Sequence, residues 1–199
     1  MQLLASPASP FVRKCRVVLL ETGQTDVEVV DVKTDPAGRA EPRLEAANPV
    51  GKIPTLLRED GPAIHDSRVI CRFLDARAGT NLYPEGRLWE VLSLEAMGDA
   101  IMEASVGIIY EKRLRPEHLW WPDWFEAQWG KVARALDAIE ARSMPLLAGP
   151  LNAGQIAVGC ALGYLDLRHG ERDWRAGRDA LAEWAARFDD RASMAATRP

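Results

Sequence analysis

Three short segments of the chain combine residue types that can hold or activate a small polar molecule. The first is Ser6-Pro7-Ala8-Ser9-Pro10-Phe11. Ser9 suits a helix N-cap and Pro10 the first helical position. The opening N–H groups of a helix lack intrahelical partners and carry partial positive charge, so the start favours an anion such as a thiolate. The Ser9 hydroxyl can donate a hydrogen bond to that anion, although Ser-Pro also starts a helix with no ligand. The second segment, Asn48-Pro49-Val50-Gly51-Lys52-Ile53-Pro54, precedes an apolar run. An X-Pro bond in a tight loop can be cis, turning the N–H and C=O of Ile53 outward to grip an extended peptide as a short extra strand. A proline at a strand start needs no such role. The third is Asp66-Ser67, where a helix start and a hydroxyl can bind a carboxylate while Asp66 pairs with an amino group. Together these fit an α-amino acid head, with a plain cap as the alternative.

The elements that must position these segments follow from periodicity and punctuation. Gln2–Ser6 reads as a buried strand closed by Ser-Pro-Ala-Ser-Pro. Phe11, Cys15, Val18 and Leu19 repeat at helical spacing up to Gly23. Val27–Val32 alternates like a second strand. Asp35–Asn48 carries Gly and Pro among charges, which implies loop with one short helix. Ile53–Leu57 and Ala63–His65 read as a hairpin around Asp60-Gly61, and Asp66 or Ser67 caps a helix that buries Val69, Ile70, Phe73 and Leu74. Strand, helix, parallel strand, hairpin and helix make the outline of a thioredoxin-like unit over residues 1–78. Gly79–Arg87 is a linker. Residues 88–199 form an all-α helical bundle, with patterns at roughly 87–113, 122–143, 153–168 and 175–189. In the third of these, Ile156, Cys160, Gly163, Tyr164 and Leu167 share a face, and Asn152 with Gln155 has the form of a capping box. The expected fold class is therefore an α/β N-terminal domain followed by a helical C-terminal domain.

Composition narrows the function classes. Of 199 residues, 47% are hydrophobic and 27% charged, which excludes a disordered chain. The net charge of -4 gives no basic footprint for nucleic acid. Cys15, Cys71 and Cys160 are far apart in sequence, and His65, His118 and His169 are scattered, so no metal-ligand spacing exists. Sparse cysteines and the lack of a basic n-region or a long apolar run imply a cytoplasmic protein in a reducing compartment, with no membrane span. Arg13, Lys14 and Arg16 read as a solvated face of the first helix. The cluster Trp120-Trp121-Pro122-Asp123-Trp124, with Trp129 beyond it, reads as a helix-packing contact.

In this order and spacing, SPASPFVRK, NPVGKIPTL, HDSRVICRFLD and NAGQIAVGCALGYLD resemble the glutathione S-transferase family over essentially the whole chain. The resemblance implies glutathione as co-substrate, no metal, no nucleic-acid or membrane partner, and a homodimer. Ser9 matches the catalytic position of serine- or cysteine-bearing bacterial members, with Phe11 in the same motif. Ile53, before a cis Pro54, matches the residue whose backbone pairs with the cysteinyl part of glutathione. Asp66 and Ser67 match the acid-Ser pair that holds the γ-glutamyl group. Lys33 falls where some members place a cation near the glycyl carboxylate, and Lys52 lies in reach of the same loop. A second-substrate pocket is expected along the first long helix of the C-terminal domain, at Asp99, Met102, Glu103 and Val106.

The chemistry so implied is transfer of the glutathione thiolate to a small, mostly apolar electrophile. A free thiol with a pKa of about 8.5 is only a few per cent ionised near pH 7. Lowering it by about two units takes about 2.7 kcal/mol of preference for the anion. One hydrogen bond to a charged acceptor supplies about 1.5–3 kcal/mol, and a helix start adds some tenths to one. Two alternatives remain open. One is a glutathione-dependent thiol oxidoreductase or lyase, against which stands serine rather than cysteine at position 9. The other is a non-catalytic binding protein that keeps the fold.

Overall fold

In a computed structural model that describes residues 1–35, 37 and 40–199, the chain opens with the short strand β1, Gln2–Ala5. Helix α1 (Pro10–Glu21) follows, and strand β2 (Glu28–Asp31) pairs parallel with β1. Pro36, Gly38 and Arg39 of the expected loop lie outside the described residues. The one short helix expected in that stretch is α2, Pro42–Ala47. Strand β3 (Thr55–Leu57) runs antiparallel to β1, giving the order β2-β1-β3. Helix α3 (Ser67–Ala78) follows and packs on α1. Successive strand residues face opposite sides. Leu4 thus joins Val32 and Leu44 in one buried cluster, and Leu3 is turned to the other face.

Several sequence expectations change here. The fourth strand shrinks to one bridge, in which Leu56 and Ile64 exchange two 2.9 Å main-chain bonds. Exposed Glu59–Pro62 holds Gly61 and Pro62, which leaves nothing to extend the ladder. On α3 the buried face is Ile70, Cys71 and Leu74, whereas Val69 is 51% exposed. Arg13 and Lys14 are not solvated at all, with 4% and 1% exposure. Arg13 donates to Met194 O at 3.0 Å and to Thr197 Oγ1 at 3.4 Å. Ser193 Oγ donates to Glu21 at 2.5 Å. The chain's last residues, with helix α9 at Ala192–Ala196, therefore belong to the same compact unit as Met1–Tyr83. So does part of the linker: Asp75 Oδ1 accepts from Thr80 Oγ1 (2.6 Å) and Leu82 N (2.9 Å).

The second compact unit is Pro84–Arg191. It holds α4 (Leu88–Leu114), α5 (Pro122–Arg142), the single turn α6 (Met144–Leu147), α7 (Ala153–Arg168) and α8 (Asp179–Asp189). None of these helices is long and apolar enough to cross a membrane. Helix α7 is buried nearly all round, so the face read from its sequence is only part of its buried surface. Leu167, expected on its inner face, is exposed. Glycine permits its closest approach to α4: a Cβ on Gly98 would lie 2.8 Å from the Ala157 main chain, and one on Gly154 2.9 Å from Leu94. The Asn152–Gln155 capping box forms, with 3.1 Å bonds in both directions. The Gln155 amide also donates to the carbonyls of Leu146, Leu147 and Gly149, which end α6. Helix α8 starts later than its apolar pattern because Glu140 of α5 supplies its cap, accepting from the N–H groups of Ala180 and Leu181. In the tryptophan cluster, Trp120 and Trp124 meet Phe125 edge-on, and Trp121 is 63% exposed.

His169, just past α7, is buried beside the rings of Trp129 and Tyr164. Its Nε2 lies 3.1 Å from the Ser105 carbonyl, which can only accept, so this nitrogen carries the proton. Nδ1 has no partner among the described residues. Burial pulls the pKa of this imidazole below its ordinary value, outweighing the Ser105 bond. The unfolded chain takes up a proton near pH 6.5 while the folded chain still refuses it. The contribution of His169 is thus complete above about pH 6.5 and is lost as pH falls from there through the lower folded pKa. Urea unfolding should show a larger drop in midpoint between pH 7.5 and 5.5 for the wild type than for His169→Gln. Equal drops would show that this ring does not govern the acid limb.

Candidate functional site

Strand pairing brings the three segments to one end of the sheet. Leu4 pairs with Thr55, so the end of β1 lies beside the start of β3. The chain leaving β1 reaches Ser9 at the head of α1, and the chain entering β3 passes through Ile53-Pro54. Leu56 then pairs antiparallel with Ile64, which sends the chain back along β3 to the same end, where Asp66 and Ser67 open α3. The packing of α1 on α3 adds a direct measure: Cys15 Sγ is 3.8 Å from the Ser67 carbonyl oxygen.

Ser9 is the N-cap of α1 in extended conformation, and its Oγ accepts from Val12 N at 3.3 Å. A hydroxyl that accepts from an amide keeps its own hydrogen to donate elsewhere. Pro10 is buried, and Ser9 and Phe11 are half-buried, so the start is formed yet open to a small molecule. The Ile53–Pro54 peptide bond is cis, as is His65–Asp66. The ladder to β1 begins at Thr55 and does not engage Ile53, whose side chain packs on the Leu4 cluster.

A residue not singled out in sequence shapes that loop. Asn48 is buried; its Nδ2 donates to Lys52 O at 2.9 Å and Thr55 Oγ1 at 3.2 Å, and its Oδ1 accepts from Val50 N at 3.1 Å. Thr55 Oγ1 closes the ring by donating to Lys52 O at 2.8 Å. Gly51 takes φ +66°, a conformation that costs a side chain about 1–2 kcal/mol. The usable signal was Asn-Pro followed by Gly, a turn in which asparagine bonds to nearby main chain.

Asp66 caps α3 through a 3.0 Å bond from Arg68 N, and the Arg68 guanidinium lies 3.0 Å from its other oxygen. Partial burial pulls this carboxyl upward, but the Arg68 bonds outweigh it and hold it below the usual carboxylate range. It is therefore ionised at neutral pH. Ser67 is buried at the first helical position. Lys33 and Lys52 are both exposed; the Lys33 N–H donates to Glu41 at 3.2 Å. In the second unit, Asp99 and Met102 are buried on α4, Val106 is half-buried and Glu103 exposed, so only the last two offer surface to a ligand. No cluster of His, Cys, Asp and Glu fit for a metal occurs among the described residues.

A thioredoxin-like α/β domain with helix starts and a cis-proline loop at one end of the sheet, continued by a helical domain, defines the class. Residues 3–82 match the glutathione S-transferase N-terminal domain family and residues 122–187 its C-terminal domain family. The chain belongs to the glutathione S-transferase family. It is 31% identical over 204 residues to the uncharacterized GST-like protein YibF of Escherichia coli, covering 100% of this chain and 98% of that one. A family member from Pseudomonas fluorescens Pf-5, crystallised with bound glutathione, is 41% identical with a TM-score of 0.96, over 100% of this chain and 98% of that one. One from Methylobacillus flagellatus, also with glutathione bound, is 35% identical with a TM-score of 0.86, over 100% and 98%.

Removing the Asn48 side chain tests how far it organises the loop. Asn48→Ala leaves Lys52 O with one donor fewer and Val50 N without its acceptor, a loss of about 1–3 kcal/mol. Hydrogen exchange should speed up over residues 50–55 and stay unchanged in β1 and β2. Unchanged exchange in the loop would mean that Asn48 does not hold it.

Proposed function

We propose that the protein is a glutathione transferase that joins the glutathione thiolate to small, mostly apolar electrophiles. The observation that carries this reading is the meeting of the starts of α1 and α3 with the Ile53-Pro54 loop at one end of the sheet. Glutathione bound in relatives at 41% and 35% identity supports it. In this reading the γ-glutamyl carboxylate takes the Ser67 hydroxyl and the first N–H groups of α3, while ionised Asp66 attracts the α-amino group. The cysteinyl residue pairs with the Ile53 main chain as one added strand rung. Lys33 and Lys52 are the cations available to the glycyl carboxylate, and Phe11 flanks the bound peptide.

The sulfur then lies at the head of α1. The Ser9 hydroxyl donates to it and the helix start adds a partial positive charge, so the thiol ionises near neutrality. The thiolate forms a bond to an electrophilic carbon, and the electron pair passes to the leaving group or into the electrophile. The electrophile's site is assigned to α4 around Asp99, Met102, Glu103 and Val106, with Glu103 and Val106 as the exposed members. A homodimer, cytoplasmic location and a role in detoxification complete the proposal on the family resemblance. Serine at position 9 sets it against disulfide chemistry at that position.

Ser9→Ala separates capping from catalysis. Loss of the cap alone costs about 0.5–2 kcal/mol of stability and leaves folded-enzyme turnover nearly intact. Loss of the thiolate bond removes about 1.5–3 kcal/mol, or about 10–200-fold in rate at neutral pH, and the deficit shrinks at high pH where glutathione ionises unaided. The thiolate absorbance of bound glutathione, titrated in the ultraviolet, should show a higher pKa in the variant. The same pKa in both proteins would reduce Ser9 to a cap.

A further inference from the structure

Two cysteines that are 56 positions apart in sequence meet in the first unit, with Cys15 Sγ 3.9 Å from Cys71 Sγ. Cys15 stands on α1 and Cys71 on α3, and both are reduced thiols with at most 1% exposure. We propose that Cys15 and Cys71 are a redox pair that closes reversibly to a disulfide joining α1 to α3.

The geometry favours this bond over other fates of the two thiols. The two sulfurs are neighbours, so a disulfide of about 2.05 Å forms when they close the remaining gap from 3.9 Å. Both residues lie within regular helices rather than at frayed ends, so the facing pair persists between openings. Cys160 stands in the other compact unit, on α7, and acts as an internal control. The oxidant is a small hydroperoxide. One thiolate attacks its distal oxygen, forming a sulfenic acid and releasing an alcohol, or water from hydrogen peroxide. The second thiol then displaces the sulfenic oxygen as water, forming the S–S bond. Two thiols and one peroxide bond are consumed, with one disulfide and two hydroxyl products formed. A neighbouring thiol captures the sulfenic acid before further oxidation, which an isolated cysteine cannot do. The near-complete burial makes opening of the α1–α3 contact the slow step, so the pair responds to sustained oxidant rather than to a brief pulse.

Because α1 opens with Ser9 and α3 with Asp66 and Ser67, the bond would tie together the two helices that carry the proposed glutathione contacts. That consequence rests on the function proposed above, whereas the bond does not. The test treats the folded protein with hydrogen peroxide, quenches it in denaturant, counts thiols and maps peptides without reductant. Thiols should fall from three to one with a mass loss of about 2 Da, a peptide linking Cys15 to Cys71 should appear, and dithiothreitol should restore all three. Cys160→Ala should form the same link, and Cys15→Ala and Cys71→Ala, each sufficient where the other fails to fold, should not. Three surviving thiols, stepwise addition of oxygen to single cysteines, or links only between chains would overturn the proposal.

Discussion

The pairing of β1 on both sides organises everything that follows in the first unit. Its parallel partnership with β2 requires a crossover, and α1 is that crossover, so a helix must begin just beyond the end of β1. Its antiparallel partnership with β3 fixes the opposite sense, with Thr55 against Leu4. A one-residue slip of β3 in that register would turn Leu57 away from the cluster of Leu4, Val32 and Leu44 that it packs against. The same slip would shift Pro54 relative to the end of β1, where α1 starts. Core packing and site geometry therefore depend on one set of strand pairs, and neither can drift alone.

That end of the sheet gathers main-chain groups that regular structure cannot pair. Helix starts leave N–H groups open, and the chain around Ile53 lies outside the ladder. Such groups are expensive to bury and useful to an extended peptide with charged ends. The supporting shell is polar and local: Asn48 and Thr55 hold the loop through the Lys52 carbonyl, and Arg68 keeps the Asp66 carboxylate ionised. The second unit is built differently, around α7. Gly98 and Gly154 admit close helix contact there, and the Gln155 amide ties the start of α7 to the carbonyls of Leu146, Leu147 and Gly149.

Signals local in sequence were legible. Ser9-Pro10, Asp66-Ser67 and Asn152 with Gln155 announce caps because capping needs only three or four consecutive residues, and each forms as read. The proline before β3 and the order β1, α1, β2, α2, β3, α3 were equally plain. What the chain hides is non-local. Arg13 and Lys14 look like solvent residues because their helix is charged at those positions, yet the distant Met194 and Thr197 take up Arg13. Val69 looks like core, yet it is 51% exposed. The late start of α8 depends on Glu140 of another helix, and Cys15 meets Cys71 only because α1 packs on α3. Asn48 sits between these cases, a turn residue by type whose burial depends on its loop closing over it.

Glutathione is proposed to lie along this end of the sheet, spanning the starts of α1, β3 and α3. A crystal structure of the protein with glutathione decides this. The γ-glutamyl group should lie at Asp66 and Ser67, the cysteinyl main chain should pair with Ile53, and the sulfur should lie within hydrogen-bond distance of Ser9 Oγ. Glutathione bound elsewhere, or bound here with its sulfur turned away from the head of α1, would contradict it.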